Sequence, residues 1–269
     1  MRRFVCLLVL VAAALAAPRA QSSLHAPFDR ILDRYVRDGL VYYRALQSDR
    51  VLIDRYIASL DIDSATIAGW PPAEQKAFWV NAYNALVLDT VISHYPIKTK
   101  SAEYPDGSIR QIPGSFEQLP HRVAGRSMTL DAIEKGPIAA FGDARMFFAL
   151  GRGAVGSGRL RSEVYQAGRI DAQLDAALVE FVTRPTCLKV DRDRQVVEVS
   201  PLFGWREAAF IASFASSGSR WATRSPIEQA ILGMSFSHLF PSEREILSQD
   251  VFQLKYGTFD WHLNDLDAK

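Results

Sequence analysis

Three groups of residues in this chain of 269 have side chains able to do chemistry. The first is the run Gly151-Arg152-Gly153-Ala154-Val155-Gly156-Ser157-Gly158, with Arg159 and Arg161 close behind. Its glycines let backbone N–H groups face an anion, and its guanidiniums pair with carboxylate or phosphate. It lacks the G-K-[ST] ending of a phosphate-cradling loop, and the dinucleotide spacing fails too. Two readings stand: a loop that holds an anion or carboxylate, and a structural turn. Ser157 is a weak candidate nucleophile. A G-x-S-x-G elbow needs glycine at 155 and 159, where this chain has Val155 and Arg159.

The second group is Asn81 and Asn84, within the apolar run Ala77-Phe78-Trp79-Val80-Asn81-Ala82-Tyr83-Asn84-Ala85-Leu86. Three residues apart, the two carboxamides share one helix face. A buried carboxamide without partners costs about 1–3 kcal/mol, so the pair implies a fixed polar network. The third group is scattered. His25, His94, His121, His238 and His262 form no H-x-x-x-H or H-E-x-x-H pair, which argues against a zinc site. Asp61/Asp63 and Asp191/Asp193 sit in turn contexts and read as turn formers rather than acid–base dyads. Trp79, Trp205, Trp221 and Trp261 read as core or as a stacking platform for a lectin-like ligand.

These residues must be positioned by a core that the length allows and the composition supports. Apolar residues make up 48% and charged residues 23%, as in an ordinary globular protein. A net charge of +1 and the lack of any basic block argue against nucleic acid as a partner. Helices are expected over Phe28–Val36, closed by Gly39, and over Tyr43–Leu60 with Leu46, Leu52, Tyr56, Ile57 and Leu60 inward. Pro71-Pro72 start a helix buried on all sides, which Tyr95-Pro96 ends. Residues 97–127 read as a long excursion with short strands and a hairpin turn at Ala124-Gly125-Arg126. Thr129 is an expected N-cap for a short helix through Lys135. The apolar run Arg145–Leu150 reads as a buried strand. An amphipathic helix over Asp171–Val182, a hairpin of Leu188–Val190 with Val196–Val199, three further helices (Arg206–Phe214, Ile227–Met234, Ser242–Gln249) and a strand at Phe252–Tyr256 follow.

The first twenty residues read as an export signal. Arg2 and Arg3 form a basic region, Phe4–Ala14 a short apolar one, and cleavage is expected after Ala16 or Ala20. The chain is therefore expected to be exported, periplasmic or secreted, with no membrane association beyond the signal. Cys6 leaves with the signal. Cys187, then the sole thiol, reads as a small buried hydrophobe that can form no internal disulfide.

Taken in order, the segments resemble the DUF547 family of uncharacterised proteins. The similar pieces are Tyr35–Tyr43, Phe78–Ala85, Leu130–Glu134, Arg145–Leu150, Arg161–Tyr165, Ser200–Trp205 and Tyr256–Asn264. In the family pattern the apolar strand carries a His, then a Cys at its end, then a second Cys before a Pro. Such a set suits thiol–imidazole chemistry. The resemblance matches those positions to Phe147, Arg152, Ser157 and Gly158, so that chemistry is absent at these positions.

The expected fold is α+β: N-terminal helices packed on a mostly antiparallel sheet, with further C-terminal helices, in one domain over residues 24–266. The expected function is a non-catalytic binding or scaffold protein for an unknown small molecule or protein, with no cofactor and no metal. Its expected binding residues are Asn81, Asn84, Arg145, Arg152, Glu163 and Tyr165. The alternative is a divergent hydrolase or transferase using Ser157, or a polar site near Asn81, Asn84 and Glu163.

Overall fold

The computed structural model describes residues 18–215 and 220–267. The expected export signal falls on residues 1–17, outside the described residues, and on the first turn of helix α1 (Pro18–Tyr35). Asp38 and Gly39, both with positive φ, turn the chain from β1 (Val36–Arg37) into β2 (Leu40–Val41). The expected helix over Tyr43–Leu60 is two helices, α2 (Tyr43–Ser48) and α3 (Val51–Ser59). Between them the Asp49 carboxylate accepts from Tyr35 Oη at 2.7 Å and from Arg34, a tertiary tie at the break. Leu52, expected inward, is exposed, whereas Leu46, Tyr56 and Leu60 are buried.

Helix α4 (Ser64–Ala68) is capped by Asp63, which accepts from the N–H groups of Ala65 and Thr66. Its partner Asp61 accepts from Arg122 and from the Gly125 N–H, so both carboxylates organise turns. Helix α5 (Pro72–His94) begins with Pro72 in its first turn, where the missing N–H costs nothing. It is buried from Ala77 through Leu88 without interruption. A helix apolar on every side has to be surrounded, and α1, α2 and α3 pack on it together with later elements.

The excursion after α5 contains a short 3-10 turn (Ile109–Gln111) and then the hairpin β3 (His121–Val123) and β4 (Arg126–Met128). Ala124 and Gly125, both at positive φ, form its turn. Thr129 caps α6 (Leu130–Ile133) through the Ala132 N–H, as expected. The helix then widens into a π turn over Glu134–Ile138 that contains Pro137, whose missing N–H fits a break in the α-helical register.

One expected element is corrected. Residues 144–149 form a 3-10 helix, not a strand. Short apolar runs do not reveal their period, and Met146, Phe147, Phe148 and Ala149 include no β-branched residue. The Asp143 carboxylate accepts from the Arg145 N–H and starts the turn.

Helix α7 (Ile170–Thr183), the antiparallel pair β5 (Leu188–Asp191) and β6 (Val196–Val199), and helices α8 (Leu202–Trp205), α9 (Glu207–Phe214), α10 (Pro226–Ser235) and α11 (Pro241–Gln249) follow. Strand β7 (Gln253–Tyr256) adds to β6 in parallel. The fold is α+β, with small, mostly antiparallel sheets and helices at both ends. Among the described residues the sheet expected as one unit is three separate ones, the largest of three strands. Among the described residues no helix is long and apolar enough to cross a membrane. Cys187 is buried, and burial pushes its thiol pKa up despite the neighbouring Arg184.

Asn81 and Asn84 each act like a short length of strand backbone. Asn84 Nδ2 donates to the Ala149 carbonyl at 3.0 Å, and its Oδ1 accepts from the Gly151 N–H at 2.8 Å. Asn81 pairs in the same two-fold way with the N–H and carbonyl of Tyr165, at 2.9 and 2.8 Å. Two irregular segments are thereby held against one face of α5 with their polar groups satisfied. Asn84→Ala strands the Gly151 N–H and the Ala149 carbonyl, so unfolding in urea will show a loss of about 1–3 kcal/mol per stranded group.

His25 supplies a pH dependence. It is buried on α1 with Nδ1 2.8 Å from Tyr56 Oη, and burial lowers its pKa to about 4 from 6.5. The unfolded chain therefore binds a proton that the folded chain refuses between pH 6.5 and about 4. Its contribution is intact above pH 6.5 and falls by about 3 kcal/mol as pH drops through that window. Stability measured against pH will be flatter there in a His25→Gln chain than in the parent.

Candidate functional site

The chemistry converges on a cavity of about 450 Å³ where five parts of the chain meet. Helix α6 and the turn after it supply Asp131, Glu134 and Lys135, and the loop after the 3-10 helix supplies Arg152. The junction of α8 and α9 brings Trp205 and Arg206, and the excursion after α5 brings Arg110, Phe116 and Glu117. Trp261 arrives on the C-terminal segment.

That last segment is placed by backbone pairing at two points. The N–H groups of Val155 and Gly156 donate to the carbonyls of His262 and Asp260, both at 2.9 Å. Further on, the Val41 N–H donates to the Asn264 carbonyl at 2.9 Å. The Asn264 side chain accepts from Tyr43 Oη and donates to the Gly39 carbonyl, each at 2.7 Å. The end of the chain thus straps its start to the glycine-rich loop and turns Trp261 into the cavity.

The floor is a buried charge cluster. Arg152 Nη2 donates to Glu134 Oε1 at 2.5 Å, Arg206 Nε donates to the same oxygen at 2.9 Å, and Tyr83 Oη donates to Oε2 at 3.2 Å. Arg152 and Glu134 are 3% and 4% exposed, so their charges have left water almost completely. Burial alone would raise the Glu134 pKa, but the two guanidiniums outweigh it and hold the carboxyl below its usual range. Burial and the Glu134 charge both push the Tyr83 hydroxyl up, leaving it a neutral donor. Two cations share one carboxylate. Lys135 pairs with Asp131 at 2.8 Å and Arg110 with Glu117 at 2.6 Å, so the cavity keeps one positive charge in excess.

The wall is aromatic. Trp205 lies on Phe259 and Trp261 with centroids 4.8 and 5.8 Å away. The Arg110 guanidinium lies over both Phe116 and Trp261, at 4.5 and 4.8 Å from their centroids, as cation–π partners. Trp79 and Trp221 are core residues.

Of the residues expected to bind, Arg152 alone lines this cavity. Asn81, Asn84 and Tyr165 are buried braces of the fold. Arg145 is engaged by Asp143, Asp171 and Asp175. Glu163 lines a second, smaller cleft of about 290 Å³, beside Arg159, Arg161 and Glu180. Ser157 is 2% exposed. Its hydroxyl donates to the Ala154 carbonyl at 2.6 Å and accepts from the Arg152 N–H at 3.1 Å, with no base among its partners. Gly158 answers to a close approach, since a Cβ there would lie 1.9 Å from the Phe148 carbonyl oxygen. Among the described residues no cluster of three or more His, Cys, Asp or Glu is placed to hold a metal.

Sequence reasoning passed over Glu134 and Arg206. A signal existed for the first: Leu130, Ile133 and Glu134 share a helix face, so the glutamate follows two core residues inward. A buried Glu needs a partner, and the partners lie 18 and 72 positions away.

Residues 67–182 match the family described as proteins of unknown function, DUF547. The chain carries a DUF547 domain. Arg152 and Phe147 lie inside the matched segment, as do Glu134 and Tyr83. Trp205, Arg206 and Trp261 lie beyond it, so the cavity is closed by residues outside the DUF547 match. No curated protein and no solved structure matches the chain.

The buried cluster predicts a sharp stability effect. Glu134→Gln removes the charge that neutralises Arg152 and will lower the unfolding free energy by about 3–5 kcal/mol in urea titration. A loss below about 1 kcal/mol would mean that Arg152 is solvated or otherwise neutralised.

Proposed function

We propose that this DUF547 protein is an exported, non-catalytic binding protein whose cavity takes a small molecule bearing one negative charge. The observation that carries this reading is the sharing of Glu134 by Arg152 and Arg206. A single carboxylate neutralises one guanidinium, and the surplus charge faces a cavity of ligand size. Arg206 is the more accessible of the two, at 18% exposure of its side chain, and it has N–H groups to spare for a carboxylate. Absence of catalysis is supported by the residues at the reactive positions. Phe147 cannot take a proton, Arg152 is locked to Glu134, and the Ser157 hydroxyl donates to a backbone carbonyl. Export is supported by Arg2, Arg3 and the apolar run that precedes Ala16.

The test uses the full chain expressed with its own N-terminus. The recovered protein is expected to begin at residue 17 or 21 by mass spectrometry. Calorimetric titration should give binding to small carboxylates that weakens about tenfold or more in Arg206→Gln, the scale of a lost charge-assisted hydrogen bond. Turnover of an ester, amide or thioester that a cavity substitution abolishes would overturn the reading. So would the absence of anion binding.

A further inference from the structure

The same cavity says more about its ligand, and this step rests on the reading just given. We infer that the ligand is an acidic sugar, a pyranose ring carrying a carboxylate, seated on the indole of Trp205.

Three observations lead there. First, seven of the ten residues that line the cavity are charged. A hydrocarbon ligand would strip water from those groups without replacing its hydrogen bonds. A polyol replaces them, donating hydroxyls to Glu117 and Asp131 and accepting from Lys135 and Arg206. Second, the aromatic wall is a platform, not a slot. Trp205 and Trp261 are stacked with centroids 5.8 Å apart. A planar ring inserted between two others needs about 7 Å, twice a carbon contact distance. Trp261 is already covered by Arg110 and Trp205, whereas Trp205 remains 41% exposed. One open indole face, rimmed by charged donors and acceptors, suits the C–H face of a pyranose with its hydroxyls pointing outward. Third, the cavity carries one cation in excess, which fits one carboxylate on that ring. The ring lies on Trp205 and its carboxylate meets Arg206, the next residue in the chain.

The experiment follows intrinsic tryptophan fluorescence and calorimetric heat while the full chain is titrated with D-glucuronate, D-galacturonate, D-glucose and benzoate. At least one uronate is expected to bind, and glucose and benzoate about tenfold or more weakly, since each lacks one of the two recognition elements. Trp205→Ala should lose about tenfold in uronate affinity while Trp205→Phe, which keeps a ring, retains most of it. Circular dichroism of both variants confirms that they fold. Benzoate binding as tightly as either uronate, or uronate binding that is indifferent to Trp205→Ala in a folded chain, would overturn the sugar assignment and leave an anion cavity standing. Glucose binding as tightly as the uronates would overturn the acidic part. Absence of binding by every carboxylate probe would overturn both this inference and the proposed function.

Discussion

Glu134 sits where the most distant parts of the chain have to agree. Its two oxygens accept from Arg152, Arg206 and Tyr83, residues that come from a loop, a helix junction and the central helix. A carboxylate this deeply buried is tolerable only with its charge neutralised and its lone pairs occupied. Each donor is in turn constrained. Arg152 has no water to turn to, and Tyr83 is fully buried in α5. The turn after α6, the loop at 150–158 and the start of α9 are thus held at one separation by electrostatics. Apolar packing alone would leave them freer to slide, because dispersion contacts carry little directional preference.

The asparagines serve the same end by other means. The loop that carries Arg152 has no regular ladder for its backbone polar groups, which burial would otherwise leave unpaired. Asn84 supplies the missing pairing at Ala149 and Gly151, immediately before Arg152. Ser157 then closes the loop from its far end on the Arg152 N–H. In this way a neutral side chain on a rigid helix aims a charged one on a loop. A group that looks reactive in the sequence, the serine hydroxyl, is committed to holding that loop.

The cavity combines a rigid floor with a wall delivered by the last part of the chain. Trp261 is in place because the C-terminal segment pairs with both the glycine-rich loop and the β1–β2 hairpin. The DUF547 match, residues 67–182, contains Glu134, Arg152 and Tyr83 of the floor and lacks Arg206 and most of the aromatic wall. The charged cluster and the stacking platform meet in the chain at Trp205-Arg206, where one residue serves the wall and the next the floor.

Local rules were enough to read much of this protein. The fully apolar face count of Ala77–Leu86, the prolines before it, the Thr129 cap, the Ala124-Gly125 turn and the 188–199 hairpin were all legible, because each depends on neighbours within a few residues. The need for a polar network around Asn81 and Asn84 was legible too, since a carboxamide in an apolar helix demands partners. What they bond to was not. The run at 144–149 went the other way, because full burial erases the periodicity that separates a strand from a helix. The site itself was decided by tertiary structure alone. Arg152 and Arg206 both need Glu134, and Trp205 needs Trp261, pairings between residues 18 to 72 positions apart that no local pattern records. Residue type dictated that a buried arginine must find a carboxylate; only the fold decided which one, and left a second arginine beside it with charge to spare.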